Sequence, residues 1–81
     1  MYLRDIKFYF NFYFIFILMT GTVKFFIESK GYGFITNDET GKEIFVHVSS
    51  LNGLEIKEGD KVTYSEVEGK KGIVAADVQL V

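Results

Sequence analysis

Lys30-Gly31-Tyr32-Gly33-Phe34-Ile35 and, shortly after it, Ile44-Phe45-Val46-His47-Val48 decide how this chain reads. Successive side chains of an extended strand point to opposite faces. A strand over residues 30–36 therefore places Lys30, Tyr32 and Phe34 on one face and Gly31, Gly33 and Ile35 on the other. In the second run Phe45 and His47 share a face, with Ile44, Val46 and Val48 opposite. Aromatic residues in strands are ordinarily core residues. Here the aliphatic side already supplies the core, so the rings are left facing water beside a lysine. Clustered exposed rings are unfavourable unless something stacks on them. Unpaired nucleic-acid bases suit such a platform because every base has a π-face.

Outward from these two runs the chain breaks into short apolar segments punctuated by turns. Residues 21–27 read as a first strand, in which strict alternation cannot place both Lys24 and Phe25 on the face of the rings. A bulge would do so, and small barrels use bulges at such bends. Glu28-Ser29-Lys30-Gly31 is a polar turn into a second strand, residues 31–37. Asn37-Asp38-Glu39-Thr40-Gly41-Lys42 is a hairpin turn into a third strand, residues 43–48. Residues 49–61 form a connection without strong periodicity, carrying turn signals at Asn52-Gly53 and Glu58-Gly59-Asp60. Residues 61–68 read as a fourth strand with Val62 and Tyr64 inward. Alternation would also bury Glu66, a costly position for an unpaired carboxylate, so a register shift that turns Val67 inward is expected. Glu68-Gly69-Lys70-Lys71-Gly72 turns the chain into a fifth strand, residues 73–80. Five short strands, two tight hairpins and no convincing helix predict an all-β fold, a five-stranded antiparallel Greek-key barrel of the oligonucleotide-binding class (OB-fold).

Composition narrows the chemistry. Eighty-one residues allow one small domain. No cysteine is present, and His47 is the single histidine. Thiolate metal sites, disulfides and histidine relays therefore lack parts. No cofactor, metal or small-molecule substrate is expected, and no enzymatic activity. The formal net charge is −2, and without Arg4, Asp5 and Lys7 the remaining residues are more acidic still. Such a chain does not bind duplex DNA through bulk positive charge. Binding has to rest on stacking plus local cations.

Residues 1–18 differ from the rest. They hold eight of the fourteen aromatic residues, and the apolar run of residues 8–19 is broken only by Asn11. The run is too short for a spanning helix, which needs ~20 apolar residues, and it lacks a small-residue cleavage site. Three readings stand. Residues 1–18 are translated upstream sequence preceding a biological start at Met19, or a membrane or interfacial anchor, or an oligomerising extension. The first is favoured.

The motifs also resemble a known family. Residues 30–35 look like the first RNA-binding motif of cold-shock domain proteins, and residues 45–48 look like the second. Gly21-Thr22-Val23-Lys24-Phe25-Phe26 resembles that family's opening strand, Glu58-Gly59-Asp60-Lys61-Val62 its entry to strand four, and Glu68-Gly69-Lys70-Lys71-Gly72 its last turn. The resemblance covers residues 19–81. It implies single-stranded RNA and DNA as partners, an RNA-chaperone or regulatory role, a cytoplasmic location and a monomer. Onto this chain it carries Phe25, Tyr32, Phe34, Phe45 and His47 as stacking residues and Lys24, Lys30 and Lys71 as phosphate contacts. Three departures matter. Ile27 stands where the family usually has asparagine, Val48 where many relatives have phenylalanine, and the connection after Val48 is short and lacks an aromatic. Two alternative functions stand beside it: a ribosome-associated barrel akin to translation initiation factor one, and a membrane-tethered module anchored by residues 1–18.

Overall fold

A computed structural model describes residues 18–70 and 72–81. The expectations for residues 1–17, and that for Lys71, lie outside the described residues. The chain forms β1 (Met19–Ile27), β2 (Tyr32–Asn37), β3 (Glu43–His47), a single 3-10 turn η1 (Val48–Ser50), β4 (Lys61–Gly69) and β5 (Gly72–Leu80). These close into a barrel in the order β1-β2-β3-β5-β4. The five-stranded barrel expected from the turn spacing is therefore present. Four neighbouring pairs are antiparallel, and the seam between β3 and β5, where Phe45 faces Val74, is parallel.

The core follows the alternation. Val23, Ile35, Ile44, Val46, Val62 and Tyr64 are buried, with Ala75 and Val78 from β5. Leu51 and Ile56 join them from the connection between η1 and β4. Neither belongs to a periodic pattern, so alternation gives no sign that they are buried.

Two irregularities set which side chains face out. In β1, Val23 pairs with Ile35 and the next paired residue, Phe25, with Phe34. Lys24 is the extra residue of a bulge, as expected from the sequence. Beyond it the faces exchange, and Phe25 emerges beside Phe34. In β5 the pairing steps from Gln79 to Ala76 while β4 advances only from Thr63 to Ser65. Asp77, in the left-handed region at φ 52°, absorbs the extra residue, so Ala75 and Val78 both point inward.

Three sequence expectations are corrected. The register shift in the last hairpin lies before Glu66 and does not turn Val67 inward: Val67 stays 43% exposed. Strand β4 keeps its alternation, and Glu66 is half-buried but satisfied, because its Oε2 accepts from the Tyr64 hydroxyl at 3.1 Å and from Asn37 Nδ2 at 3.3 Å. A paired carboxylate can occupy the site that an unpaired one could not. Val48 is not a core residue. Strand β3 ends at His47, and Val48 starts η1 with 47% of its surface exposed. Lys30 is not on the β2 face either. It lies in the turn before β2, where Gly31 at φ 75° breaks the extended backbone.

Candidate nucleic-acid interface

Cross-strand partners in register share a face, and the register assembles one outer row from four segments of chain. Phe25 pairs with Phe34, Phe34 with Phe45, and Phe45 with Val74. Next to it runs a second row, Ile27, Tyr32 and His47. Gly33 lets β1 lie this close. A Cβ on Gly33 would sit 2.2 Å from the Phe25 carbonyl oxygen and 2.7 Å from Phe26 Cα. Only a residue without a side chain fits under the bulge.

The four rings form one patch. Phe34 is at its centre, edge-on to Phe25 at 5.6 Å between centroids, to Tyr32 at 6.5 Å and to Phe45 at 5.8 Å. Tyr32 and Phe45 stack across the strands at 5.7 Å and 19°. Each ring is half-buried by its neighbours and presents the remainder outward. Edge-to-face packing of this kind steadies the rings while leaving π-surface open to an incoming plane.

His47 is exposed beside Tyr32, and its ring is oriented. Nδ1 accepts from the Ser49 amide at 3.1 Å, capping η1, and lies 2.9 Å from Ser49 Oγ. An accepting Nδ1 carries no hydrogen, so the neutral ring holds its proton on Nε2. Lys24, projecting from the bulge, is ion-paired with Glu43 at the start of β3. Both side chains are about half exposed, at 49% and 47%. Glu43 was not anticipated as its partner, because the pairing depends on the register of β1 against β3 across β2. Lys30 is exposed in the turn that leads to Tyr32. Thus Phe25, Tyr32, Phe34, Phe45 and His47 come together, Lys24 sits at the β1 bulge, and Lys30 lies off the strand face.

A polar cluster sits elsewhere on the barrel. Buried Asn37 donates from Nδ2 to the Tyr64 hydroxyl at 2.9 Å, while its Oδ1 accepts from the amides of Glu39 and Thr40 at 2.8 and 3.0 Å. Burial pushes the Tyr64 phenol up to about 12, helped by the Glu66 carboxylate. Asp38 accepts from Lys61 Nζ at 3.0 Å and from Thr22 Oγ1 at 2.9 Å, which holds its carboxyl below the usual value. Each of these groups has a structural partner. Among the described residues no group of three or more histidine, cysteine, aspartate or glutamate side chains is placed to hold a metal ion, and no helix is long and apolar enough to cross a membrane.

A five-stranded closed barrel with four half-buried rings gathered on one sheet face and Lys24 at the neighbouring bulge is a barrel of the oligonucleotide-binding class. Comparison with known proteins narrows the class. The model of the "cold-shock" DNA-binding domain matches residues 19–81. The chain is 48% identical over 64 residues to the major cold shock protein CspA of Pseudomonas aeruginosa, covering 75% of this chain and 91% of that protein. It is 44% identical over 63 residues to the cold shock protein CspV of Vibrio cholerae, covering 74% and 90%. Among solved structures, Drosophila Unr CSD456 shares the fold with a TM-score of 0.66 at 21% identity, covering 80% of this chain and 27% of that one. The chain belongs to the cold-shock DNA-binding domain family, whose members bind nucleic acid.

Proposed function

We propose that residues 19–81 bind single-stranded RNA and DNA with little base preference and hold the strand open without ATP, as an RNA chaperone or a regulator of transcription or translation. Bases stack on Phe25, Tyr32, Phe34, Phe45 and His47. Lys24, Lys30 and Lys71 contact phosphates. The protein works as a cytoplasmic monomer and is not an enzyme. The observation that supports this reading is the row of register partners Phe25–Phe34–Phe45, with Tyr32 stacked against it. It exposes π-faces at several points along one surface, and bases locked in a duplex cannot reach them.

Fluorescence anisotropy of a labelled pyrimidine-rich strand, alone and annealed to its complement, tests the proposal. Binding is expected for the single strand and is expected to fall at least tenfold for the duplex. Equal or tighter binding to the duplex would overturn it.

A further inference from the structure

The barrel closes between β3 and β5 at one register pair, Phe45 with Val74. Strand β5 runs on to Leu80 with β4 along one side only. Along its other side, among the described residues, no loop backbone bonds residues 76–80. The ladder shows which groups are left over. The Val81 amide donates to the Lys61 carbonyl at 3.1 Å, and bonded pairs alternate with non-bonded ones along an antiparallel ladder. The neighbouring pair, Val62 with Leu80, is therefore non-bonded, and the N–H and C=O of Leu80 point away from β4. Natural edges discourage a further strand with lysine or proline, and β5 carries neither. Two clefts, of about 260 and 310 Å³, flank this edge and meet at Leu80, which is 48% exposed. Leu51, Leu54 and Val78 line the first, and Ile56 the second. Their charged walls are Glu28, Glu55, Asp60 and Asp77 against one lysine, Lys57. Among the described residues none of these four carboxylates is ion-paired.

We propose that the open edge of β5 at residues 78–80 docks an extended segment of a partner protein, an apolar residue flanked by lysine or arginine, which adds to β5 as a further strand. The unpaired backbone groups of Leu80 supply hydrogen bonds, and the two clefts take alternate side chains of the added strand. The carboxylates around the clefts complement the flanking cations. The bulge at Asp77, in the left-handed region at φ 52°, bends the edge and keeps the docked segment short. The same carboxylates repel a phosphodiester, so nucleic acid is a poor occupant. The outer row of register partners runs from Phe25 through Val74 to Val67, and none of its residues lines either cleft. The docking edge is thus separate from the stacking surface and does not rest on it.

The test titrates the isotope-labelled full chain with a capped peptide, Val-Leu-Val between paired lysines, and follows backbone amides by NMR. The amides of Leu54, Val78, Gln79 and Leu80 should shift. Replacing the peptide's lysines by glutamates should weaken binding at least about tenfold. Leu80→Pro removes a donor on the open edge and leaves the β4 ladder intact, and should weaken binding about tenfold. Leu80→Lys, a change at an exposed position, removes the apolar contact and repels the peptide, and it serves if the proline variant does not fold. Both variants should bind a single strand as wild type does. A lysine peptide that leaves these amides unmoved at about 1 mM, that binds no better than its glutamate counterpart, or that binds Leu80→Lys as tightly as wild type would overturn the proposal. Shifts of the same amides on raising the chain's own concentration, or on adding a single strand, would give the edge to a second copy or to nucleic acid and overturn it equally.

Discussion

Phe34→Ala removes the ring that touches all three others, at 5.6, 6.5 and 5.8 Å. A base stacked on an aromatic side chain contributes ~1–3 kcal/mol by alanine substitution, or about fivefold to ~150-fold in affinity. The central position puts Phe34 above the low end, because its loss also frees Phe25 and Phe45 to rotate away from their stacking poses. A loss of more than about tenfold in single-strand affinity is expected. Edge-on ring pairs are worth ~0.5–1.5 kcal/mol each beyond buried area, yet the ring lies outside the core cluster, so the barrel should remain folded. The assay pairs anisotropy titrations with urea melts of the same preparation, so that binding is scored only where the variant is folded. No charge is removed, and the slope of log affinity against log salt should stay unchanged. Folded Phe34→Ala that binds within about twofold of wild type would refute stacking as the source of affinity.

Lys24→Gln should flatten that salt slope by about 0.7, one phosphate contact on a single strand. Glu43→Gln, which frees the Lys24 ammonium from its ion pair, should instead raise low-salt affinity about twofold to threefold, within the range of an exposed ion pair. Tyr64→Phe breaks the hydroxyl's bonds to Asn37 and Glu66 and should cost about 1–3 kcal/mol in urea unfolding at neutral pH. The phenol is raised from 10.0 to about 12, so its stabilising effect is complete below pH 10 and is lost as pH rises toward 12. The gap between wild type and Tyr64→Phe should therefore narrow between pH 10 and 12, and a constant gap would refute the assignment. Gly33→Ala places a methyl 2.2 Å from the Phe25 carbonyl. It should cost about 3 kcal/mol or abolish folding, as a thermal melt would show.

The alternation within single strands was legible because it depends only on local backbone geometry. It separated Tyr32 and Phe34 from Ile35, and Phe45 from Ile44 and Val46. The β1 bulge was legible for a related reason: Lys24 and Phe25 could not share a face without one. Glu66 was not legible, since the cost of burying it depends on whether Tyr64 and Asn37 deliver donors to it. Those donors come from its own strand and from the end of β2. Val48 and Lys30 were misplaced by extending alternation past the true strand ends. The capping bond from Ser49 to His47 and the left-handed Gly31 stop the strands one residue early.

The amino-acid sequence alone determined that this chain builds a small β-barrel whose inside is aliphatic apart from Tyr64, with Phe25, Tyr32, Phe34 and Phe45 on the outer face. Periodicity and turn chemistry are short-range properties, written within a few residues of one another. Only the tertiary structure decided which ring meets which, that Glu43 engages Lys24, and that the row continues through Val74 to Val67. Those facts follow from register and barrel closure, which bring β3 against β5 across a long connection. No local pattern encodes them, because each is a balance among contacts made only when every strand is in place.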